Sequence, residues 1–158
     1  MVRDLREGPP RRWNDSLGQI RWLPRLIDKT RAALAGQLGD YLFGQSPMDR
    51  GLLRALGIAH REFARIVRDA PDDADVLAAL AARTPEGIRA ARAWSETLPR
   101  RHGLFLFVID LDDGYLPGPW RLAGAPVRLG SRLLTRAVKR IWPSRALDGL
   151  RVEEGNEA

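Results

Sequence analysis

The chain has 158 residues and a formal net charge of +6, with 44% hydrophobic and 29% charged residues. This length is sufficient for one compact domain with a buried core, and the composition is typical of a soluble globular protein. The sequence contains no cysteine, which excludes disulfides, thiolate nucleophiles and cysteine-ligated zinc or iron–sulfur sites.

Hydropathy and the first residues give an expectation for location. No uncharged stretch approaches the roughly 18 residues that a membrane-spanning helix needs, and the start, MVRDLREGPPRRW, is charged where a signal peptide has an apolar run. We therefore expect a cytoplasmic protein without a transmembrane segment. The two histidines, His60 and His102, do not stand at ligand spacing, so the sequence predicts no metal site and no cofactor.

Charge is unevenly distributed along the chain. Residues 1–31 hold eight Arg and Lys against four Asp and Glu, whereas residues 32–125 are almost neutral. Residues 126–147 contain no acid, and their cations are Arg128, Arg132, Arg136, Lys139, Arg140 and Arg145. Basic segments at both ends indicate an anionic partner.

The first predicted helix has Pro24 in its first turn, a position that proline favours. Residues at helical spacing form its apolar side. They are Leu23, Leu26, Ile27, Thr30, Leu34 and Leu38. Gly36 and Gly39 weaken or end this helix.

The second predicted helix has the best-marked start. Ser46 stands at the N-cap, Pro47 at the first helical position and Asp49 three residues after the cap, which is a capping-box layout with Asp in place of Glu. Its apolar face comprises Met48, Leu52, Leu53 and Leu56. Gly57 ends the helix.

Three further helices are predicted before residue 100. Pro71 ends the third helix, Asp72 or Asp73 begins the fourth, and Thr84 with Pro85 begins the fifth. Their apolar sides are Phe63, Ile66, Val67 and Ala70 in the third, Val76, Leu77 and Leu80 in the fourth, and Ile88, Ala91, Trp94 and Leu98 in the fifth.

The apolar run at residues 104–109 is compatible with a buried strand or a buried helix. A strand needs a partner, and no other segment alternates apolar and polar residues. We therefore predict a short buried helix here, followed by a turn at Asp112, Asp113 and Gly114 and by an irregular linker around Pro117.

Residues 126–142 form a basic amphipathic helix in the prediction. The apolar stripe contains Val127, Gly130, Leu133, Leu134, Ala137, Val138, Ile141 and Trp142, and the opposite stripe contains Arg128, Arg132, Arg136, Lys139 and Arg140. Either the apolar stripe packs on the domain and the cations are solvated, or the helix detaches onto anionic lipid, an acidic protein or nucleic acid. In the second case a hinge would comprise Pro117, Gly118, Pro119 and Gly124.

The sequence thus predicts an all-α fold, a compact single domain of five to six helices. We divide it into a helical domain at 1–125 and a basic amphipathic helix with a charged tail at 126–158.

Three features between residues 4 and 60 are shared with a known family. They are the pair Leu17 and Gly18, the L-P-R-x-I-D-K-x-R-A helix at residues 23–32, and a segment at 39–49 with a small-Pro-x-Asp start. In these features the chain resembles a bacterial family of small proteins catalogued only as a domain of unknown function. The D-L-D-D-G sequence at residues 110–114 is a further similarity. The resemblance implies no activity and assigns no site residue.

Arg25, Asp28 and Lys29 lie on the side of the first helix that faces away from its apolar residues. Three interpretations of this side are open: a solvated face, a buried structural ion network, or a ligand site. Because Ala32, Ala35 and Gly36 share it and would let another element approach, we expect Asp28 to be at least partly buried and joined to an Arg or Lys. The candidate ligand-binding residues are Arg25, Asp28, Lys29, Asp40 and Tyr41.

Asp110, Asp112 and Asp113 form the other acidic cluster. Neighbouring carboxylates can hold Mg²⁺ or Ca²⁺, or raise one another's pKa, but the spacing is not that of an EF-hand, and a helix end with a turn is the simpler interpretation. Trp22 and Trp94 are predicted core residues, and Trp13, Trp120 and Trp142 are predicted to hold the terminal segments on the body.

No catalytic signature is present, and Ser46 has no G-x-S-x-G setting, so the catalytic residues, if any, stay unassigned. The leading hypothesis is a helical binding or adaptor module that engages an anionic membrane surface or an acidic protein through its basic ends. The residues of this surface are Arg128, Arg132, Arg136, Lys139, Arg140 and Trp142. The alternative is a small-molecule-binding protein or enzyme with a polar pocket around Arg25 and Asp28. Nucleic acid is a third partner class, without a known motif.

Overall fold

The computed structural model describes residues 2–118 and 120–141, and over these residues it is mostly helical. The helices are α1 (Leu23–Leu34), α2 (Pro47–Leu56), α3 (His60–Asp69), α4 (Asp73–Arg83), α5 (Pro85–Asp112) and α6 (Trp120–Ile141). The all-α fold and the single compact domain are confirmed. Trp142 and the rest of the charged tail lie outside the described residues.

A two-stranded antiparallel sheet, β1 (Ser16–Leu17) with β2 (Ile20–Arg21), precedes α1 and was not predicted. Strands of two residues are too short to show an alternating pattern, so no sequence signal marked them. The reversal between them uses left-handed backbone at Gly18 (φ 56°) and Gln19 (φ 68°).

The core is built from the apolar sides of the first five helices. Its largest fully buried side chains include Trp22, Leu26, Leu52, Phe63, Leu80 and Leu98. The predicted apolar faces of α1 to α4 therefore meet as expected, and the side chain of Trp94 is packed against this core from its edge.

Helices α2 and α5 are in backbone contact at Gly87. A Cβ atom at this position would overlap the carbonyl oxygen of Leu56. The hydroxyl of Thr84 donates a hydrogen bond of 2.9 Å to the same oxygen. The end of α2 is thus fixed against the start of α5 by backbone contact.

The capping box predicted for α2 is wrong. Ser46 is the N-cap residue, but its side chain makes no capping hydrogen bond, and the carboxylate of Asp49 is completely buried and binds other groups. The predicted start of α4 does have a side-chain cap: Asp72 accepts a hydrogen bond of 2.9 Å from the backbone nitrogen of Asp75.

The prediction of a short helix at residues 104–109 is confirmed, but the prediction that it is buried is wrong. These residues belong to the part of α5 that follows a kink at His102, where φ is −131° and ψ is 20°. Leu106 is buried, whereas Leu104 is 80% exposed and Phe105, Phe107 and Val108 are exposed as well. Six consecutive apolar residues cover every side of a helix, and only one side of this segment contacts the core.

Helix α6 begins at Trp120 and contains Gly124 and Pro126, so it starts earlier than predicted. Gly124 is buried, and a Cβ atom there would lie 2.7 Å from the carbonyl oxygen of Leu111 on α5. The prediction that Gly124 belongs to a hinge is therefore wrong, because it lies inside α6 and packs against the backbone of α5.

The side of α6 that faces the body is largely polar. Ser131 donates a hydrogen bond of 2.7 Å to Asp112, and Lys139 donates one of 2.5 Å to the carbonyl oxygen of Gly39. Leu133 and Leu134 are exposed. The alternative in which these leucines pack on the domain is therefore wrong, and the helix nonetheless stays on the body. None of the described helices combines the length and the apolar character needed to cross a membrane.

Candidate functional site

The polar side of α1 is buried. Arg25 is 4% exposed, Asp28 7% and Lys29 3%, so the interpretation as a solvated face is wrong. The three charged groups have partners from three other parts of the chain. The predicted burial of Asp28 beside a basic residue is confirmed.

Asp28 binds the segment that precedes β1. Its carboxylate accepts hydrogen bonds from the backbone nitrogen of Arg11 at 2.8 Å and from the Nη2 atom of the same residue at 2.7 Å. The Arg11 guanidinium also binds Asp73 at the start of α4. Hydrogen bonds to these two carboxylates raise the pKa of Arg11 even though burial opposes the shift. Asp28 therefore fixes the N-terminal segment against α1 and α4.

Lys29 and Asp49 form the most deeply buried ion pair. The Nζ atom of Lys29 lies 2.7 and 2.5 Å from the two carboxylate oxygens of Asp49, and the indole nitrogen of Trp22 donates a third hydrogen bond of 2.9 Å to the same group. Burial lowers the pKa of Lys29, and the charge of Asp49 opposes that shift. The carboxylate accepts three hydrogen bonds from two donor groups, which compensates for the loss of water.

Arg25 pairs with Asp113 at the end of α5. Its Nη1 atom lies 2.6 Å from Asp113, whose other oxygen accepts a hydrogen bond of 2.9 Å from the hydroxyl of Tyr41. The guanidinium lies over the rings of Trp22 and Tyr41, at 5.3 and 5.8 Å from their centroids. The buried Nε atom of Arg25 has no hydrogen-bond partner in the described part of the chain.

Tyr41 is held in its neutral, hydrogen-bond-donating form. Burial raises the pKa of its hydroxyl, and the negative charge of Asp113 raises it further. The group is therefore a fixed donor to Asp113 at neutral pH.

Trp22 links the two ion pairs. It has left-handed backbone, with φ of 71°, an unusual conformation for a bulky residue. Its backbone nitrogen donates to the carbonyl oxygen of Trp13 at 3.1 Å, and its ring lies under both Arg25 and Lys29. Such strain persists where the surroundings fix it, and it is frequent at functional sites.

These groups border a cleft of about 650 Å³, which we call the α1–α6 cleft. Its walls are residues 5–9, residues 39–42, the start of α2, the C-terminal part of α5 and the inner side of α6. Of the candidate ligand-binding residues, the lining includes Arg25, Lys29, Asp40 and Tyr41. Asp28 lies outside the cleft, toward Arg11.

The acidic cluster at the end of α5 binds three other parts of the chain, namely the N-terminal segment, α1 and α6. Asp110 accepts hydrogen bonds from Arg12 at 2.6 Å and from the indole nitrogen of Trp13 at 3.0 Å. Asp112 lines the cleft, and burial raises the pKa of its carboxyl. The prediction that these residues lie at a helix end and turn is correct, but it did not include their hydrogen bonds to distant residues. Over residues 2–118 and 120–141, no group of three or more His, Asp or Glu is arranged to hold a metal ion.

The cations predicted for the anionic-partner surface divide between two sides of α6. Arg128 and Arg132 line the cleft. Arg136 binds Asp40 at 3.1 Å, and burial lowers the pKa of Lys139. Arg140 is exposed.

Sequence reasoning missed the partners of the α1 charges, namely Arg11, Asp49 and Asp113. Asp49 was assigned to a cap because its spacing from Ser46 fits one, and Arg11 was counted only as part of a basic terminus. The one signal that could have identified Asp49 is its place on the apolar side of α2, next to Leu52 and Leu53.

The fold and the site define a helical protein whose first helix carries three buried charges at the edge of a cleft. The chain matches the family model described as Domain of unknown function (DUF5069) over residues 7–103, and it belongs to that family. The resemblance to a domain of unknown function is thereby confirmed. The matched region ends next to the bend of α5 at His102. Comparison with curated proteins finds no match.

Proposed function

We propose that this protein binds a small organic molecule in the α1–α6 cleft. The proposal rests on one cavity of about 650 Å³. One wall contains Arg25, Lys29, Asp40 and Tyr41, and the opposite wall comes from α5 and α6, which are distant in sequence. Ligand sites in proteins are concave, have volumes of about 300 to 1,000 Å³ and combine apolar walls with a few polar groups.

The chemistry of the walls favours a ligand with an apolar body and an acidic or carbonyl oxygen. Phe105, Ile109 and Leu134 supply apolar surface on the side of α5 and α6. Arg25 supplies a guanidinium whose Nε atom has no protein acceptor in the described residues, and such a donor gains from an oxygen ligand.

Ligand-observed NMR with a library of small aromatic and aliphatic carboxylates tests this proposal. Leu134 lines the cleft and is 66% exposed, so that Leu134→Trp should fill the cleft without disturbing the core. Leu133 is 58% exposed but does not line the cleft, and Leu133→Trp is the matched control.

We expect at least one class of carboxylate to bind the native chain and the Leu133→Trp variant and to lose binding in Leu134→Trp. Absence of binding by the whole library, or equal loss in both variants, would contradict the proposal.

A second proposed function is that of a binding module that engages an anionic partner through α6. Residues 120–141 contain Arg and Lys but no Asp or Glu, and the side chains of Arg132 and Arg136 are 59% and 68% exposed. Arg132 and Arg136 pair with Asp40 but stay largely exposed. Arg11 and Arg12 of the basic N-terminal segment bind Asp28, Asp73 and Asp110 within the protein, and their side chains are only 28% and 36% exposed. The interaction surface is thus proposed at α6 alone.

Binding to an immobilised acidic polypeptide at increasing salt concentration tests this second function. We expect retention that weakens as salt screens the cations. It should be reduced in Arg132→Gln/Arg140→Gln and unchanged in Arg54→Gln/Arg65→Gln, which removes two exposed cations from α2 and α3. Equal retention of both double variants would contradict it.

A further inference from the structure

Exposed large apolar side chains are concentrated in one part of the molecule. In the described residues they lie on α6 and on the part of α5 that follows the bend at His102, apart from Val2. The most exposed are Ile141 at 83% and Leu104 at 80%. Scattered exposed apolar residues are ordinary, but a concentration of them marks an interaction surface.

The outward position of the leucines follows from how α6 packs. Gly124, Ser131 and Lys139 bind or contact the body, and residues at these spacings share one side of a helix. The opposite side, which we call the α6 outer face, consists of Leu129, Leu133, Arg136, Arg140 and Ile141, and Arg132 lies at its edge next to the cleft. Every residue of this face is exposed.

The outer face combines apolar and cationic groups and contains no acid of its own; Arg136 also pairs with Asp40 beside the cleft. Leu129 and Leu133 are one turn apart, and Arg136 and Arg140 continue the same line toward the C-terminal end of the helix. Long Arg side chains can extend their charged groups toward a polar layer while their methylene groups contact apolar surface. This composition is that of a helix lying in a membrane interface.

We propose that the α6 outer face binds the surface of an anionic lipid bilayer, with Leu129 and Leu133 at the boundary between headgroups and acyl chains and the arginines at the phosphates. This inference rests on the second proposed function and specifies its partner. The helix does not have to detach, because its leucines already face outward while its polar side stays on the body.

Charge distinguishes this partner from a second copy of the chain. A symmetric dimer formed through the outer face would bring two sets of Arg136 and Arg140 together. Asp40 pairs with Arg136 inside each chain and is only 33% exposed, so it does not offset the excess of like charge, which opposes such an interface. Nucleic acid would neutralise the arginines but would leave the leucines in water, since single-stranded nucleic acids stack on aromatic side chains.

Co-sedimentation of the full chain with vesicles tests the inference. The vesicles contain either phosphatidylcholine alone or phosphatidylcholine with phosphatidylserine. We expect binding to the anionic vesicles and little binding to the neutral ones. Leu129→Ser/Leu133→Ser should reduce the partition coefficient on anionic vesicles, and Arg132→Gln/Arg140→Gln should reduce it by about tenfold or more. The matched control Arg54→Gln/Arg65→Gln should bind like the native chain.

Parallel measurements separate failure of this inference from failure of the second proposed function. Binding to an acidic polypeptide or to RNA without binding to vesicles would overturn the lipid assignment and leave an anionic partner in place. No binding to any of the three would overturn both. Vesicle binding unaffected by the leucine substitutions, or a dimer in light scattering that those substitutions dissociate, would also overturn the lipid assignment.

Discussion

At the scale of single residues, the distinctive feature is that α1 carries three buried charges, each with a separate partner. Asp28 pairs with Arg11, Arg25 with Asp113 and Lys29 with Asp49. Burying a charge is costly unless it is paired and hydrogen-bonded. Loss of one partner is therefore much more harmful here than the loss of a surface ion pair.

Asp28→Ala should lower the free energy of unfolding by about 3 kcal/mol, because it leaves the partly buried Arg11 without its main acceptor. Urea denaturation followed by circular dichroism measures this change. Glu86→Ala is the control, because the side chains of Glu86 and its partner Arg89 are 81% and 67% exposed. We expect a change of less than about 1 kcal/mol there. Similar losses in the two variants would mean that Asp28 contributes no more than a surface carboxylate.

His60 should make the protein less stable in mild acid. Burial lowers its pKa; Asp49 opposes this shift, while Arg50 and Lys29 add to it. Its Nε2 atom is buried without a hydrogen-bond partner in the described residues. Because the unfolded chain binds the proton more readily, stability should fall as pH decreases below about 6.5 toward the folded-state pKa.

Unfolding curves of native protein and His60→Gln between pH 7 and pH 5 check this expectation. The loss of stability on acidification should be smaller in His60→Gln. The control Arg54→Gln removes an exposed side chain that stays charged over this pH range, and it should keep the native pH dependence. A native-like slope in His60→Gln would show that other groups cause the acid sensitivity.

The sequence predicted the burial of Asp28 but not its partner. The argument used the small residues on its side of α1, and of these Ala32 is buried whereas Ala35 and Gly36 are exposed. Arg11 lies 17 residues away in the chain. Local spacing reveals which side of a helix is covered, but only the tertiary structure determines which residue covers it.

At the scale of elements, helices with caps and a single apolar side were predictable. Phe63 and Val67 mark α3, and Val76 and Leu80 mark α4, because each set is spaced for one side of a helix. Periodicity predicted helix at residues 104–109 but not its exposure, because these residues are apolar on all sides. It predicted α6 as a helix but not that the apolar side of α6 faces outward. Periodicity defines two sides of a helix without showing which one the body contacts.

Gly87→Ala should destabilise the protein by about 1 to 3 kcal/mol, because the added methyl group would overlap the carbonyl oxygen of Leu56 and the hydroxyl of Thr84. This is opposite to the usual gain when glycine inside a helix is replaced by alanine. Gly130→Ala in α6 is the matched control, since nothing lies within 4 Å of its Cβ position. Thermal unfolding should show a loss in the first variant and no loss in the second. A gain in both would mean that α2 and α5 are not in backbone contact.

At the scale of the whole molecule, the N-terminal segment connects parts that are distant in sequence. Arg11 binds α1 and α4, Arg12 and Trp13 bind the end of α5, and the hydroxyl of Tyr115 donates a hydrogen bond of 2.7 Å to the carbonyl oxygen of Pro10. The basic N-terminus is therefore a structural element, and the predicted role of Trp13 in holding it on the body is confirmed.

The carboxylate of Asp110 is the main attachment between this segment and α5. It is 4% exposed and accepts hydrogen bonds from Arg12 at 3.0 and 2.6 Å and from Trp13 at 3.0 Å. Asp110→Ala leaves the indole nitrogen of Trp13 and the Arg12 guanidinium without this acceptor, and the segment should open locally more often than the core.

Hydrogen exchange detected by mass spectrometry should show faster exchange in Asp110→Ala at residues 9–15 and 104–118, with α2 and α3 unchanged. The control is Asp40→Ala, which removes the bridges to Arg132 and Arg136 on α6 and should leave exchange at residues 9–15 as in the native chain. Because Arg12 side-chain atoms are 36% exposed and can recover water, we expect the loss of free energy to be confined to local opening of this segment. Uniform acceleration over all helices would show that Asp110 stabilises the entire fold and not the attachment of the N-terminal segment.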